Sequence, residues 1–220
     1  MLESNQSETL PETVQQIKKR TISGAVSYFL RTILLQGIGF AAIFVLSWYF
    51  SPQDFGVYGL VIPIIGILTF FSDVGLAAAL VQKKQEPKRI EYVTAFTTQQ
   101  ILSWSIVGVV LVIISTQIVQ QKAGVSAAWI LFALALAFPM ASLKTIPSIL
   151  LERRLAFSKL VIPQILEQLV FNAILIFFAV KGTGAMAYTY AIIARSVVGV
   201  AAMYYIQPWQ IQFGFEKAAF

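Results

Sequence analysis

The sequence predicts an all-α integral membrane protein, a bundle of about six transmembrane helices. Three observations carry that prediction. Hydrophobic residues make up 58% of the 220-residue chain while charged residues make up only 12%, about half the share of an ordinary soluble domain. The apolar residues gather into long runs, six of which reach the roughly 20 residues a helix needs to cross a ~30 Å hydrocarbon core. The cations lie almost entirely between those runs. So much apolar surface cannot be buried behind so few charges in water, and lipid is the solvent that accepts it. Spanning strands would be shorter and would alternate, whereas a helix satisfies its own backbone groups in lipid.

Residues 1–24 read as a polar cytoplasmic tail. It carries Glu3, Glu8 and Glu12 and ends in Lys18-Lys19-Arg20. This is the reverse of a signal peptide, which starts basic and turns apolar. The six-helix lobe is expected over 25–206, with spans at about 25–50, 56–81, 92–115, 127–150, 160–181 and 185–206. Residues 207–220 are expected to be a cytoplasmic tail or the start of a linker to a second lobe.

The segments between the spans give the orientation. The tail, the second and fourth connections and the C-terminal segment hold Lys18, Lys19, Arg20, Lys83, Lys84, Lys88, Arg89, Arg153, Arg154, Lys159 and Lys217, eleven cations. The other three connections hold only Lys122 and Lys181. The positive-inside rule then places both termini in the cytoplasm. Ser51-Pro52-Gln53-Asp54 and Lys181-Gly182-Thr183-Gly184 are short enough to make tight hairpins of helices 1 and 2 and of helices 5 and 6. Trp48, Tyr49, Trp129, Tyr188 and Trp209 fall near expected interfaces, where aromatic belts form. Pro63, Pro139, Pro147 and Pro163 lie in or at the ends of helices and are either hinges or the prolines membrane helices commonly tolerate.

The chain has no Cys and no His, which removes thiolate chemistry, His-based acid–base catalysis and the commonest metal ligand. No catalytic residue, metal site or cofactor is expected. The net charge of +6 reads as basic loops at a membrane surface, not as a nucleic-acid footprint.

Charges at membrane depth are costly and usually face protein or water. Here they are Arg31, Asp73, Lys144, Glu167 and Arg195. At ~1.5 Å of rise per residue, Asp73, Glu167 and Lys144 lie roughly 9–13 Å from the cytoplasmic edge, with Arg31 at a similar level and Arg195 near the midplane. Gln164, Glu167, Gln168 and Asn172 share one face of the fifth span. Two readings stand for this set. In one, Arg31, Lys144, Arg195, Gln164, Gln168 and Asn172 line a hydrophilic cavity for an anionic head group, with Asp73 and Glu167 balancing the cations or carrying a coupling ion or proton. In the other, Asp73, Arg31, Glu167 and Lys144 are structural ion pairs that knit the bundle.

Four stretches resemble a known family. Phe50-Ser51-Pro52-Gln53-Asp54-Phe55-Gly56 resembles the turn after the first helix of polysaccharide-export flippases. Phe71 to Gln82, with Asp73-Val74-Gly75-Leu76 and Ala79-Leu80-Val81-Gln82, resembles the end of their second helix. Pro147, Leu150, Arg153 or Arg154, Leu155 and Phe157 are similar to the segment between their fourth and fifth helices. Lys181 to Tyr188 resembles the start of their sixth. The bland reading of these stretches is structural: glycines for close approach, Asp54 as a helix cap, Arg153 and Arg154 as topology anchors.

The resemblance implies the oligosaccharide flippase (Wzx-like) branch of the multidrug/oligosaccharidyl-lipid/polysaccharide exporter superfamily, of which this chain covers an N-terminal lobe. It implies a non-enzymatic, multi-pass protein of the bacterial inner membrane. Its function would be to flip an undecaprenyl-pyrophosphate-linked oligosaccharide by alternating access during cell-surface polysaccharide synthesis, with a second six-helix lobe or a second copy as partner. A drug or ion antiporter of the same superfamily and a non-transporting assembly partner are the alternatives. The antiporter branch, by resemblance, uses an acid in helix 1, where this chain carries Arg31. A membrane glycan polymerase or ligase would need large outward loops, and those here are short.

Overall fold

The computed structural model describes residue 29 and residues 32–72 and 76–215, with the backbone course alone for 68–72. Arg31 and Asp73, two of the sequence-derived candidates, lie outside the described residues, as do the N-terminal segment 1–24 and residues 216–220. The described elements are all helical: α1 (Thr32–Leu46), α2 (Pro52–Ser72), α3 (Leu76–Gln82), α4 (Arg89–Ser115), α5 (Ile118–Arg153), α6 (Phe157–Val180) and α7 (Met186–Ile206). The helices α4, α5, α6 and α7 are each long and apolar enough to cross a membrane. The first two expected spans correspond to α1 and to α2 with α3.

The helices are apolar on their outward faces as well as their inward ones. Phe40, Phe44 and Trp48 of the α1 segment, Leu60 and Ile67 of α2, Val112 of α4 and Leu169 and Phe177 of α6 are all exposed. A helix hydrophobic all round belongs in a solvent of hydrocarbon.

Helix α5 is the hub and packs against α2, α3, α4, α6 and α7. Its buried positions include Ala127, Ala128, Ala133 and Ala135, small residues that let neighbouring backbones approach. It departs from helical geometry at Gly124, where φ is 86° and ψ 167°. That break separates a first turn from the long run that matches the expected span. Pro63, Pro139, Pro147 and Pro163 all lie within helices that continue through them, so the interruption in α5 comes from a glycine and not from a proline.

Two aromatic expectations change on inspection. Trp48 and Trp129 are exposed near the cation-poor end, as a belt requires, but Tyr188 is buried. Its ring stacks on Tyr58 at 4.1 Å and 3° and meets Phe50 at 5.5 Å. An aromatic at a helix start reads as a belt residue only while its azimuth is unknown. Trp209 likewise packs on Phe96 at 5.0 Å. It belongs to an extended segment after α7 that folds back along α4, fixed by Arg89 to Gln210 and by the Gly214 amide donating to Thr97 Oγ1 at 3.1 Å.

Candidate functional site

At the cation-poor end, one carboxylate closes two helix starts. Ser51 stands at the N-cap of α2, Pro52 takes the first helical position, where its missing N–H costs nothing, and Asp54 comes two residues later. Asp54 Oδ2 accepts from the Ser51 amide at 2.9 Å and from the Ser51 hydroxyl at 2.7 Å, and the Asp54 amide donates back to Ser51 Oγ at 3.3 Å, the reciprocal arrangement of a capping box. Its other oxygen, Oδ1, accepts from the Ala185 amide at 2.8 Å, at the start of α7 and 131 residues away in sequence. Both amides are orphan donors at positive helix termini, so an anion there is stabilised twice. Gly184 makes the approach possible. Its φ is +56°, and a Cβ there would stand 2.9 Å from Asp54 Oδ1.

At the cation-rich end the same logic runs with the opposite sign. The Arg153 guanidinium, at the end of α5, donates to the carbonyls of Leu80, Val81, Lys83 and Gln85 at 2.8–3.2 Å. These are the last carbonyls of α3 and the loop that follows it, where the helix dipole favours a cation. Lys83 pairs with Glu91 at 2.6 Å, and Glu91 reaches back to the Lys88 amide at 3.1 Å to begin α4. Arg154 and Arg89 meet Gln207 and Gln210 at this same end. Among the described residues, the connections at 51–55 and 181–184 thus meet at one end of the bundle and those at 82–91 and 152–159 at the other. Two of the motif stretches meet at one end, and the other two meet at the other.

Between the ends lie the membrane-depth charges. Lys144 of α5 and Glu167 of α6 form an ion pair, both side chains about four-fifths or more removed from solvent. Each is thus the other's partner between α5 and α6. Arg195 of α7 is placed differently. Its guanidinium lies 5.4 Å from the centre of the Phe171 ring, within cation–π range, and it has no acidic partner among the described residues.

The polar stripe of α6 turns inward. Asn172 is 7% exposed and donates to the Gln168 carbonyl at 2.9 Å. Gln164 Oε1 is buried without a hydrogen-bond partner among the described residues, and Gln168 faces α1 at Gly39. An apolar cavity of about 420 Å³ lies between α4, α5, α7 and the C-terminal segment, with Trp104, Met140, Ile193 and Phe213 in its wall, and none of the candidate residues lines it. Among the described residues no cluster of acidic side chains could hold a metal ion.

Sequence reasoning passed over two contacts, the Tyr58–Tyr188 stack and the Tyr204 hydroxyl donating to the Leu143 carbonyl at 3.1 Å, each of which joins helices distant in sequence. The small-residue face of α7, with Tyr188, Ala191, Arg195, Gly199 and Ala202 at helical spacing, reads from the sequence as a packing face, and Gly199 does pack beneath Glu167.

Apolar helices, charge-separated ends and a few internal charges define a multi-pass, all-α membrane protein. No curated protein and no solved structure gives a significant match. The chain belongs to the polysaccharide biosynthesis protein family, whose pattern residues 45–220 match.

Proposed function

We propose that this chain is one lobe of a flippase. It carries a lipid-linked oligosaccharide, of the undecaprenyl-pyrophosphate type, from the inner to the outer leaflet of the bacterial inner membrane. It does so without enzymatic chemistry or a cofactor. The cation-rich end and both termini face the cytoplasm. Alternating access needs a second wall, supplied by another six-helix lobe or a second copy.

The observation that supports this reading most is Arg195. A guanidinium roughly 15 Å from either end of its helix is expensive in hydrocarbon, and this one is not neutralised by a neighbouring carboxylate among the described residues. A planar guanidinium fork is suited to the oxygens of a pyrophosphate. Lys144 is engaged by Glu167, so among the described residues Arg195 is the membrane-depth cation left for the anion. Glu167 is the remaining candidate for coupling among the described residues.

The test is leaflet translocation of a fluorescent polyprenyl-pyrophosphate sugar in proteoliposomes holding the chain, alone and with a second lobe supplied. Translocation that falls at least about tenfold in Arg195→Ala and returns partly in Arg195→Lys is expected, since a buried anion–guanidinium pairing is worth 1.4 kcal/mol or more. No translocation under either condition contradicts the proposal.

A further inference from the structure

Glu167 has two cations within reach of its level in the bundle. Lys144 comes from α5. Arg195 stands on α7 one turn before Gly199, and the ring it covers, Phe171, stands on α6 one turn after Glu167. Since α6 and α7 form an antiparallel hairpin, these residues make two adjacent rungs, Glu167 over Gly199 and Phe171 over Arg195. Carboxylate and guanidinium are thus a single helical turn apart, and an Arg fork is the better carboxylate partner in general. Glu167 nevertheless pairs with Lys144.

The backbone of α7 explains that choice. The Glu167 side chain lies directly on Gly199. A Cβ at Gly199 would stand 2.7 Å from Glu167 Cγ and closer still to its carboxylate. Gly199 itself is buried in mid-helix, where glycine costs roughly 1 kcal/mol relative to alanine, so its presence calls for a packing reason. We infer that Gly199 is a positioning residue: the space above its Cα is the slot that commits Glu167 to Lys144 and leaves the Arg195 guanidinium on Phe171, with no acidic partner among the described residues. The claim concerns the pairing alone and stands whether or not the chain moves a glycan lipid.

The test uses the full chain in detergent micelles, a water-soluble carbodiimide with glycine methyl ester, and peptide mass spectrometry to read amide formation at position 167. In the native protein the carboxylate, held by Lys144, labels slowly. In Gly199→Ala it is pushed out of the slot and labelling rises severalfold. Lys144→Gln raises labelling to a similar extent while leaving Gly199 untouched, which identifies the lost pair as what the reagent reports. Adding Glu167→Asp to Gly199→Ala shortens the acid by one methylene and returns labelling at position 167 toward the native level, an outcome that general destabilisation would not produce. Should Gly199→Ala fail to accumulate, the double variant is expected to recover folded protein. Native labelling in Gly199→Ala, or no rescue by Glu167→Asp in labelling or in yield, overturns the inference.

Discussion

The two ends of the bundle solve one problem with opposite charges. At the cation-poor end an aspartate sits against two helix N-termini; at the cation-rich end an arginine sits against a helix C-terminus. Each satisfies orphan backbone groups that a helix end cannot satisfy itself, and each has the sign the helix dipole favours. The difference lies in reach. The carboxylate offers two oxygens and ties two elements at close quarters, so it needs a glycine beside it. The guanidinium carries several donors on a long stem and gathers four carbonyls with no glycine required. A turn motif in one helix is thereby completed by a residue more than 70 positions away.

Breaking the larger of the two clasps has the larger effect. Arg153→Ala leaves four carbonyls to water or to nothing and is expected to lower stability by about 2–4 kcal/mol. Arg153→Lys keeps the charge but loses the fork and recovers less than half of that loss. Thermal unfolding in detergent checks both. Asp54→Ala removes a cap and a link between helices, for about 1–2 kcal/mol. Asp54→Asn retains an acceptor and loses the charge, so it falls between Asp54→Ala and the native protein in the same measurement. Gly184→Ala meets both a positive φ and the Asp54 oxygen, at a cost of about 1–2 kcal/mol. That cost is expected to shrink in an Asp54→Ala background, because part of it is a clash with the residue removed; a double-mutant cycle reads the difference. Smallest is Lys83→Ala. Its pair with Glu91 is well exposed on the lysine side, and solvent-exposed ion pairs contribute little to stability, so the same measurement is expected to move least here.

The same contrast separates what could be read from the sequence from what could not. Length and continuity of apolar runs define helices without reference to any partner, so the spans at 92–115, 160–181 and 185–206 lie close to α4, α6 and α7. The Ser-Pro-x-Asp and Gly-x-Gly turns are local chemistry and were legible as turns. What they touch was not, because a single sequence carries no azimuth. Asp54 read as a cap for its own helix and also caps another. Arg153 read as a topology anchor and proves to be a capping donor. Ion pairing among Arg31, Asp73, Lys144 and Glu167 was one reading of the sequence, but which acid meets which cation was not legible; Lys144 and Glu167 form one pair because α5 and α6 turn those faces together. Tyr188 reads as an interface aromatic but is buried against Tyr58.

The central claim is that these two clasps sit at opposite faces of a membrane. The absence of cysteine makes a direct test clean. Lys181→Cys, in the loop beside the Asp54 clasp, and Lys84→Cys, in the loop gathered by Arg153, are exposed to a membrane-impermeant maleimide in intact spheroplasts. The account predicts labelling at position 181 at once and at position 84 only after the membrane is opened. Equal labelling of both before permeabilisation would contradict it.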